Sequence, residues 1–265
     1  MDALAVVANV TLLAILVAMF VEAAQRRLFS SPYLRYGVVF AAVIVAADGA
    51  AYPFVPEVLR QVPAWFYVVA TAVVIARVLT ETVVGTAAAD RLGLDPLPLL
   101  RPRGGGGRKM LASMGAGAAC GIAITAYSAA LFLLTDPGTA GGVERSPWAT
   151  PREIFRGSEL VFSGLLLLLT VLGEELTFRL GIQNYFAGLF GRGAAGYWAA
   201  IVLSSALWSL GHIGQVDPEW VKFAQIFPAG LALGCLFRYA GFEACVIAHG
   251  VLNLIMPWLT PRLLG

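Results

Sequence analysis

The sequence predicts an all-α fold, a polytopic integral membrane bundle of about eight transmembrane helices. Three observations predict it. Of the 265 residues, 59% are hydrophobic and only 13% are charged, against roughly 25% charged in soluble domains. Mean hydropathy is +0.79. The apolar residues recur from end to end in runs of about 20, the length a helix needs to cross a bilayer. A soluble chain of this length could not bury so much apolar surface. The net charge of +2, with no Arg/Lys-rich face interleaved with aromatics, gives no basis for nucleic-acid binding.

The eight runs fall at about 3–22, 37–55, 64–84, 110–134, 160–183, 197–213, 221–239 and 242–260. The first has no basic stretch before it, since Asp2 is the only early charge. It is long enough to span and reads as a retained helix, with a cleaved signal as the alternative. The breaks are rich in Pro, Gly and charge. One holds Pro96, Pro98, Pro102 and Gly104 to Gly107; another holds Pro137, Pro147 and Pro151. No internal repeat is visible. Residues 1–157 form about four N-terminal helices with their loops and 158–265 about four more, in one membrane domain overall.

Orientation follows the gathering of Lys and Arg. Arg26, Arg27 and Arg35 mark the first loop as cytoplasmic, and Arg91, Arg101, Arg103, Arg108 and Lys109 mark the third. Arg60 stands alone in the second loop, while Arg145, Arg152 and Arg156 in the fourth weaken the asymmetry. Both termini then lie outside the cytoplasm. The Ala-, Gly- and Arg-rich composition points to a prokaryotic cell membrane. Cys120, Cys235 and Cys245 lie inside apolar runs, match no metal-ligand spacing and read as small core residues.

A charge at the bilayer centre costs at least about 2.5–3.5 kcal/mol, so ionisable residues inside these runs need a reason. Gly173-Glu174-Glu175-Leu176-Thr177-Phe178-Arg179 follows the apolar run Leu165 to Leu172 directly. Glu175 and Arg179 share a helix face and read as a structural ion pair supporting the site. Glu174 points about 100° away and has no partner in its own segment. Trp208-Ser209-Leu210-Gly211-His212 and His249-Gly250-Val251-Leu252-Asn253 carry the chain's only histidines. Counting back from the turn near Gly191 to Gly196 puts Glu175 and His212 at one depth. His249, about nine residues past the turn at Ala240 and Gly241, lies about 13 Å from that surface. These depths agree if the fifth helix runs on past the cytoplasmic surface, where Gln183, Asn184 and Arg192 would sit. The site then lies in the cytoplasmic half of the membrane. Arg77 and Glu81 form another i, i+4 pair, read as structural. Glu22 and Asp48 stand alone, and Gly115, Gly117 and Gly121 would let helices approach closely.

A carboxylate in a low-dielectric site is suited to take a proton from water. A histidine beside it can orient that water or shuttle the proton. A second histidine with an asparagine amide can donate to a developing oxyanion. These groups suffice for peptide hydrolysis by activated water. There is no Gly-x-Ser-x-Gly elbow and no cysteine in the three groups.

The pattern Glu-Glu-x-x-x-Arg, aromatic-x-x-x-His, His-x-x-x-Asn resembles the CAAX protease and bacteriocin-processing family, which includes the Ras-converting CAAX prenyl endopeptidase. The resemblance covers about residues 160–257. It implies that Glu174 activates water with His212 as its partner, that His249 and Asn253 stabilise the oxyanion, and that Glu175 and Arg179 support them. Two departures stand out. Trp208 replaces the usual Phe, and Leu180 follows Arg179 where glycine is common, with Gly181 one place later. The expected function is a membrane-embedded, glutamate-dependent endopeptidase acting on a membrane-associated protein or peptide, within the lipid bilayer. No cofactor is expected. Zinc is possible with Glu and His as ligands, but the chain lacks His-Glu-x-x-His. Other classes are a non-catalytic scaffold or immunity protein of the same family, and a proton-coupled transporter, ranked lower without an inverted repeat.

Overall fold

The computed structural model describes residues 3–51, 63–98, 100, 106–139, 158–191 and 193–263. The arginines at 60, 101, 103, 145, 152, 156 and 192, and the expected end of the second helix at 55, lie outside these residues. The described residues form nine α-helices: α1 Ala3–Gln25, α2 Leu34–Ala51, α3 Ala64–Arg91, α4 Gly106–Thr135, α5 Ser158–Glu175, α6 Asn184–Phe190, α7 Ala194–Leu210, α8 Glu219–Ala240 and α9 Phe242–Leu263. A π-helix, Leu176–Gln183, joins α5 to α6 without a break. Among the described residues the molecule is thus eight helical rods, one for each apolar run in the sequence.

Local chemistry explains the ends. The α1 segment runs 23 residues with no Gly or Pro and stops where Arg27 turns to φ 52°. The α8–α9 break is a single residue, Gly241, at φ +86°, a conformation that costs glycine little. Gly138–Thr139 and Val216–Asp217 pair as a two-residue antiparallel ladder, tying the end of α4 to the approach to α8.

Among the described residues four helices are long and apolar enough to cross a membrane: Val6–Gln25, Trp65–Arg91, Arg108–Thr135 and Glu219–Ala240. Their outward faces are apolar, with Val68 70% and Leu134 85% exposed. Such a surface is stable only against lipid. The fold is an all-α membrane bundle.

Two seams set the site. Along the first, α3 lies on the π-helix. A Cβ at Gly85 would strike the carbonyl of Leu180, so only glycine lets these backbones meet. Along the second, α4 lies on α9: Cβ atoms at Gly117 and Gly121 would come within 2.6 Å of the Ala244 and Ala248 carbonyls. The close approach expected of these glycines is present. Gly115, by contrast, meets nothing within 4 Å.

Some sequence expectations need correction. Glu22 does not stand alone, because it pairs with Arg26 at 3.0 Å and Arg91 at 4.0 Å. Asp48 is exposed near the end of α2. Gln183 and Asn184, the polar residues near the end of the fifth helix, pack inside the bundle. Both are fully buried; Asn184 donates to two carbonyls of the π-helix and Gln183 to Tyr197 and Gly234, and the π-helix left no trace in the hydropathy pattern.

Candidate active site

The π-helix is the local irregularity from which the site is built. Widening a helix to i→i+5 leaves carbonyls poorly partnered, and buried carbonyls need donors. Asn184 Nδ2 donates to the carbonyls of Arg179 and Leu180 at 3.2 and 2.9 Å. Ser204 Oγ on α7 donates to the Phe178 carbonyl at 3.0 Å. Gln183 Nε2 reaches Tyr197 Oη at 3.0 Å and the Gly234 carbonyl at 3.2 Å, pinning α7 and α8 to the same segment. The one-residue displacement of the glycine to Gly181 falls inside this π-helix, where Gly181 packs against the side chain of Glu81.

Glu174 and Glu175 end α5 on different faces. Glu175 is 1% exposed. Its Oε1 accepts from His249 Nδ1 at 2.8 Å, and its Oε2 faces Arg179 Nε at 3.5 Å. The Arg179 guanidinium is also buried. It lies 4.9 Å above the Trp208 ring and donates from Nη1 to Ser204 Oγ at 3.2 Å. Glu174 is the opposite case: its side chain keeps 26% exposure. Its Oε2 accepts from the Trp208 indole Nε1 at 2.6 Å and lies 4.0 Å from His249 Nε2.

Trp208, near the end of α7, is the hub. Its ring sits edge-on to His212 and His249, at centroid distances of 5.4 and 5.3 Å. His212 is not within the helix as the sequence suggested. The helix stops at Leu210, and His212 lies in the turn that follows. Its Nδ1 is 2.8 Å from the Trp208 carbonyl. A carbonyl only accepts, so Nδ1 carries the proton and Nε2 holds the free lone pair. By the same reasoning the carboxylate of Glu175 fixes the proton of His249 on Nδ1. Asn253 Nδ2 lies 3.1 Å from His249 Nε2, one helical turn along α9.

The structure thus joins Glu174, Glu175, Arg179, His249 and Asn253 directly, while His212 enters through Trp208. No hydrogen bond links His212 to Glu174 among the described residues. Sequence reasoning assigned Glu175 only to Arg179 and missed its hold on His249. It also missed the indole donor of Trp208 to Glu174. The signal for both was present, since these residues stand inside the motif groups, but helix phase alone does not show which partner on another helix they meet. Lys222 was missed as well. On the first turn of α8 it interacts electrostatically with Glu174 and His212 and donates to Gln225 Oε1 at 3.0 Å. Among the described residues, no three His, Cys, Asp or Glu side chains are grouped as metal ligands would be.

Fold and site together define a helical membrane protein whose polar centre is a buried carboxylate–histidine cluster. Residues 156–255 match the family model described as type II CAAX prenyl endopeptidase, Rce1-like. The matched segment, similar to the CAAX-protease family, holds every residue of the cluster. It is also similar to the sporulation-killing factor biosynthesis protein SkfC of Bacillus subtilis, at 29% identity over 113 residues. That alignment covers 42% of this chain and 22% of the relative, so the chain spans about a fifth of that relative's length. No solved structure matches it.

Proposed function

We propose that the chain is a membrane-embedded endopeptidase that hydrolyses a peptide bond of a membrane-associated protein or peptide with water activated by Glu174. The observation that carries this reading is the division of labour between adjacent carboxylates. Glu175 is buried and committed to His249 and Arg179, while Glu174 remains partly open, with His249 Nε2 4.0 Å from its oxygen.

In this reading Glu174 takes a proton from water, and the hydroxide adds to the scissile carbonyl. His212, with its lone pair on Nε2, orients the water or relays the proton. The carbonyl oxygen becomes an oxyanion. Asn253, its amide turned from His249 Nε2, and His249 protonated on Nε2 donate to it, and Glu175 on Nδ1 supports the positive charge that an Nε2–H donor places on the ring. Glu174 then returns its proton to the departing amine. Proton transfer of this kind contributes roughly 10²–10⁴-fold. No cofactor enters this scheme. The match of residues 156–255 to a family model described as an endopeptidase supports the reading.

The test is a comparison of protein termini in cells carrying the wild type or Glu174→Gln, with equal insertion of both shown first. New termini present only with the wild type are the expected result and name the substrate. If wild-type and variant cells give the same termini, the reading shifts to a non-catalytic member of the family.

A further inference from the structure

A second polar feature lies away from the cluster, between α4 and α8. A cavity of about 660 Å³ opens there, lined by Asp95, Lys109, Ala116, Cys120, Cys235 and Tyr239 among others. Glu174, Glu175, His212, His249 and Asn253 do not line it. Its volume falls in the range of ligand pockets, roughly 300–1,000 Å³.

Its placement is set by the helices. Ser113 Oγ donates to the Ala240 carbonyl at 2.6 Å, so the start of α4 lies level with the end of α8. Both ends are limits of membrane-spanning segments. The short stretch after α3 closes the same end, where the Phe242 amide donates to the Pro96 carbonyl at 2.9 Å. From this rim the cavity runs down a floor of small side chains, Ala112, Ala116 and Cys120, spaced one turn apart on α4. The distance from Lys109 to Cys120 is about 16 Å at 1.5 Å per residue. That is about half of a 30 Å hydrocarbon core, the depth of one leaflet.

The rim carries both signs of charge. Lys109 is exposed, and Asp95 has a buried Oδ1 without a hydrogen-bond donor. Among the described residues no ion pair joins them. A buried carboxylate oxygen without a donor wants an N–H, and an exposed ammonium at a membrane surface attracts phosphate.

We propose that this cavity is a binding site for one phospholipid with a primary-amine headgroup. The phosphate lies at Lys109, the ammonium donates to Asp95, and one acyl chain follows α4 down to Cys120. An ethanolamine headgroup meets both charges. A choline headgroup has no N–H for Asp95, and a glycerol headgroup has no cation. The site is independent of the proteolytic reading.

The experiment reconstitutes the full chain in vesicles of equal parts phosphatidylethanolamine, phosphatidylcholine and phosphatidylglycerol, all with the same acyl chains. The protein is then extracted gently, and the retained lipid is counted by native mass spectrometry. Charge-assisted contacts at two points predict one retained phosphatidylethanolamine per chain, favoured at least about tenfold over either of the other two lipids. Ala116→Trp fills the floor and abolishes retention. Leu111→Trp, on the α4 residue 66% exposed and absent from the lining, leaves it unchanged. Asp95→Asn keeps a bound lipid but loses the preference for ethanolamine. Soluble phosphoethanolamine does not displace the lipid, because the chain supplies most of the contact. Lipid retained by the wild type in proportion to the mixture overturns the proposal. So does retention by Ala116→Trp equal to that of the wild type.

Discussion

At the scale of single residues, two adjacent carboxylates with the same chemistry have different partners. Glu175 holds a histidine and an arginine inside the bundle, and removing one member of a buried pair costs roughly 3–5 kcal/mol because the other charge is left unpaired. Glu175→Gln is therefore expected to lower both thermal stability and any cleavage. Glu174, at 26% exposure with the indole of Trp208 as its donor, has less to hold. Glu174→Gln is expected to leave the melting temperature close to wild type while cleavage falls by about 10²–10⁴. Melting curves in detergent beside cleavage rates separate the two. Equal loss of stability in both variants would contradict the division of labour. The motif residues were legible in sequence because ionisable groups inside apolar runs are expensive. What the sequence could not show was the pairing of Glu175 with His249, which depends on how α5 and α9 are rotated against each other.

The element that governs this rotation is the π-helix, Leu176–Gln183. Thr177 Oγ1 donates to Glu81 Oε1 at 2.8 Å across the seam with α3, and Arg77 Nε lies 3.5 Å from the same carboxylate. A residue outside the family-matched segment therefore helps hold that segment in register. Thr177→Val leaves the buried Glu81 oxygen without its donor and is expected to cost about 1–3 kcal/mol, read as a fall in melting temperature. Gly85→Val places side-chain atoms where the Leu180 carbonyl stands and is expected to prevent folding, shown by loss of the monodisperse peak in detergent. A wild-type-like Gly85→Val protein would show that the seam is not as close as described. The number and order of helices could be read from hydropathy. The π-helix could not, because the groups that meet its carbonyls, Asn184 and Ser204, are brought to it by the fold, and polarity alone does not show that Asn184 turns inward.

At the scale of the whole molecule, the described residues form eight rods, and among them four satisfy the length and hydropathy of a simple span. The rods around the cluster carry its polar groups: α5 holds the carboxylates, the π-helix holds Arg179, α7 leads to His212, and α9 bears His249 and Asn253. The helices that face outward are the apolar ones. Val73 on α3 is 61% exposed about a third of the way along its span, so Val73→Arg is expected to cost up to roughly 2.5–3.5 kcal/mol against the bilayer. Reduced insertion in a membrane-integration assay checks this. Insertion equal to wild type would mean that α3 does not face lipid at that depth. The expected topology rests on loop arginines, several of which lie outside the described residues, so it stands on charge distribution alone.

The central claim is that Glu174 activates water for peptide hydrolysis inside the membrane. The most direct measurement places purified protein in lipid vesicles with a synthetic peptide spanning a terminus found in the cellular comparison, and follows the product by mass spectrometry. Cleavage by the wild type at that bond, abolished in a Glu174→Gln protein of unchanged melting temperature, is the predicted result. Cleavage at the same rate by the folded Glu174→Gln protein would contradict it.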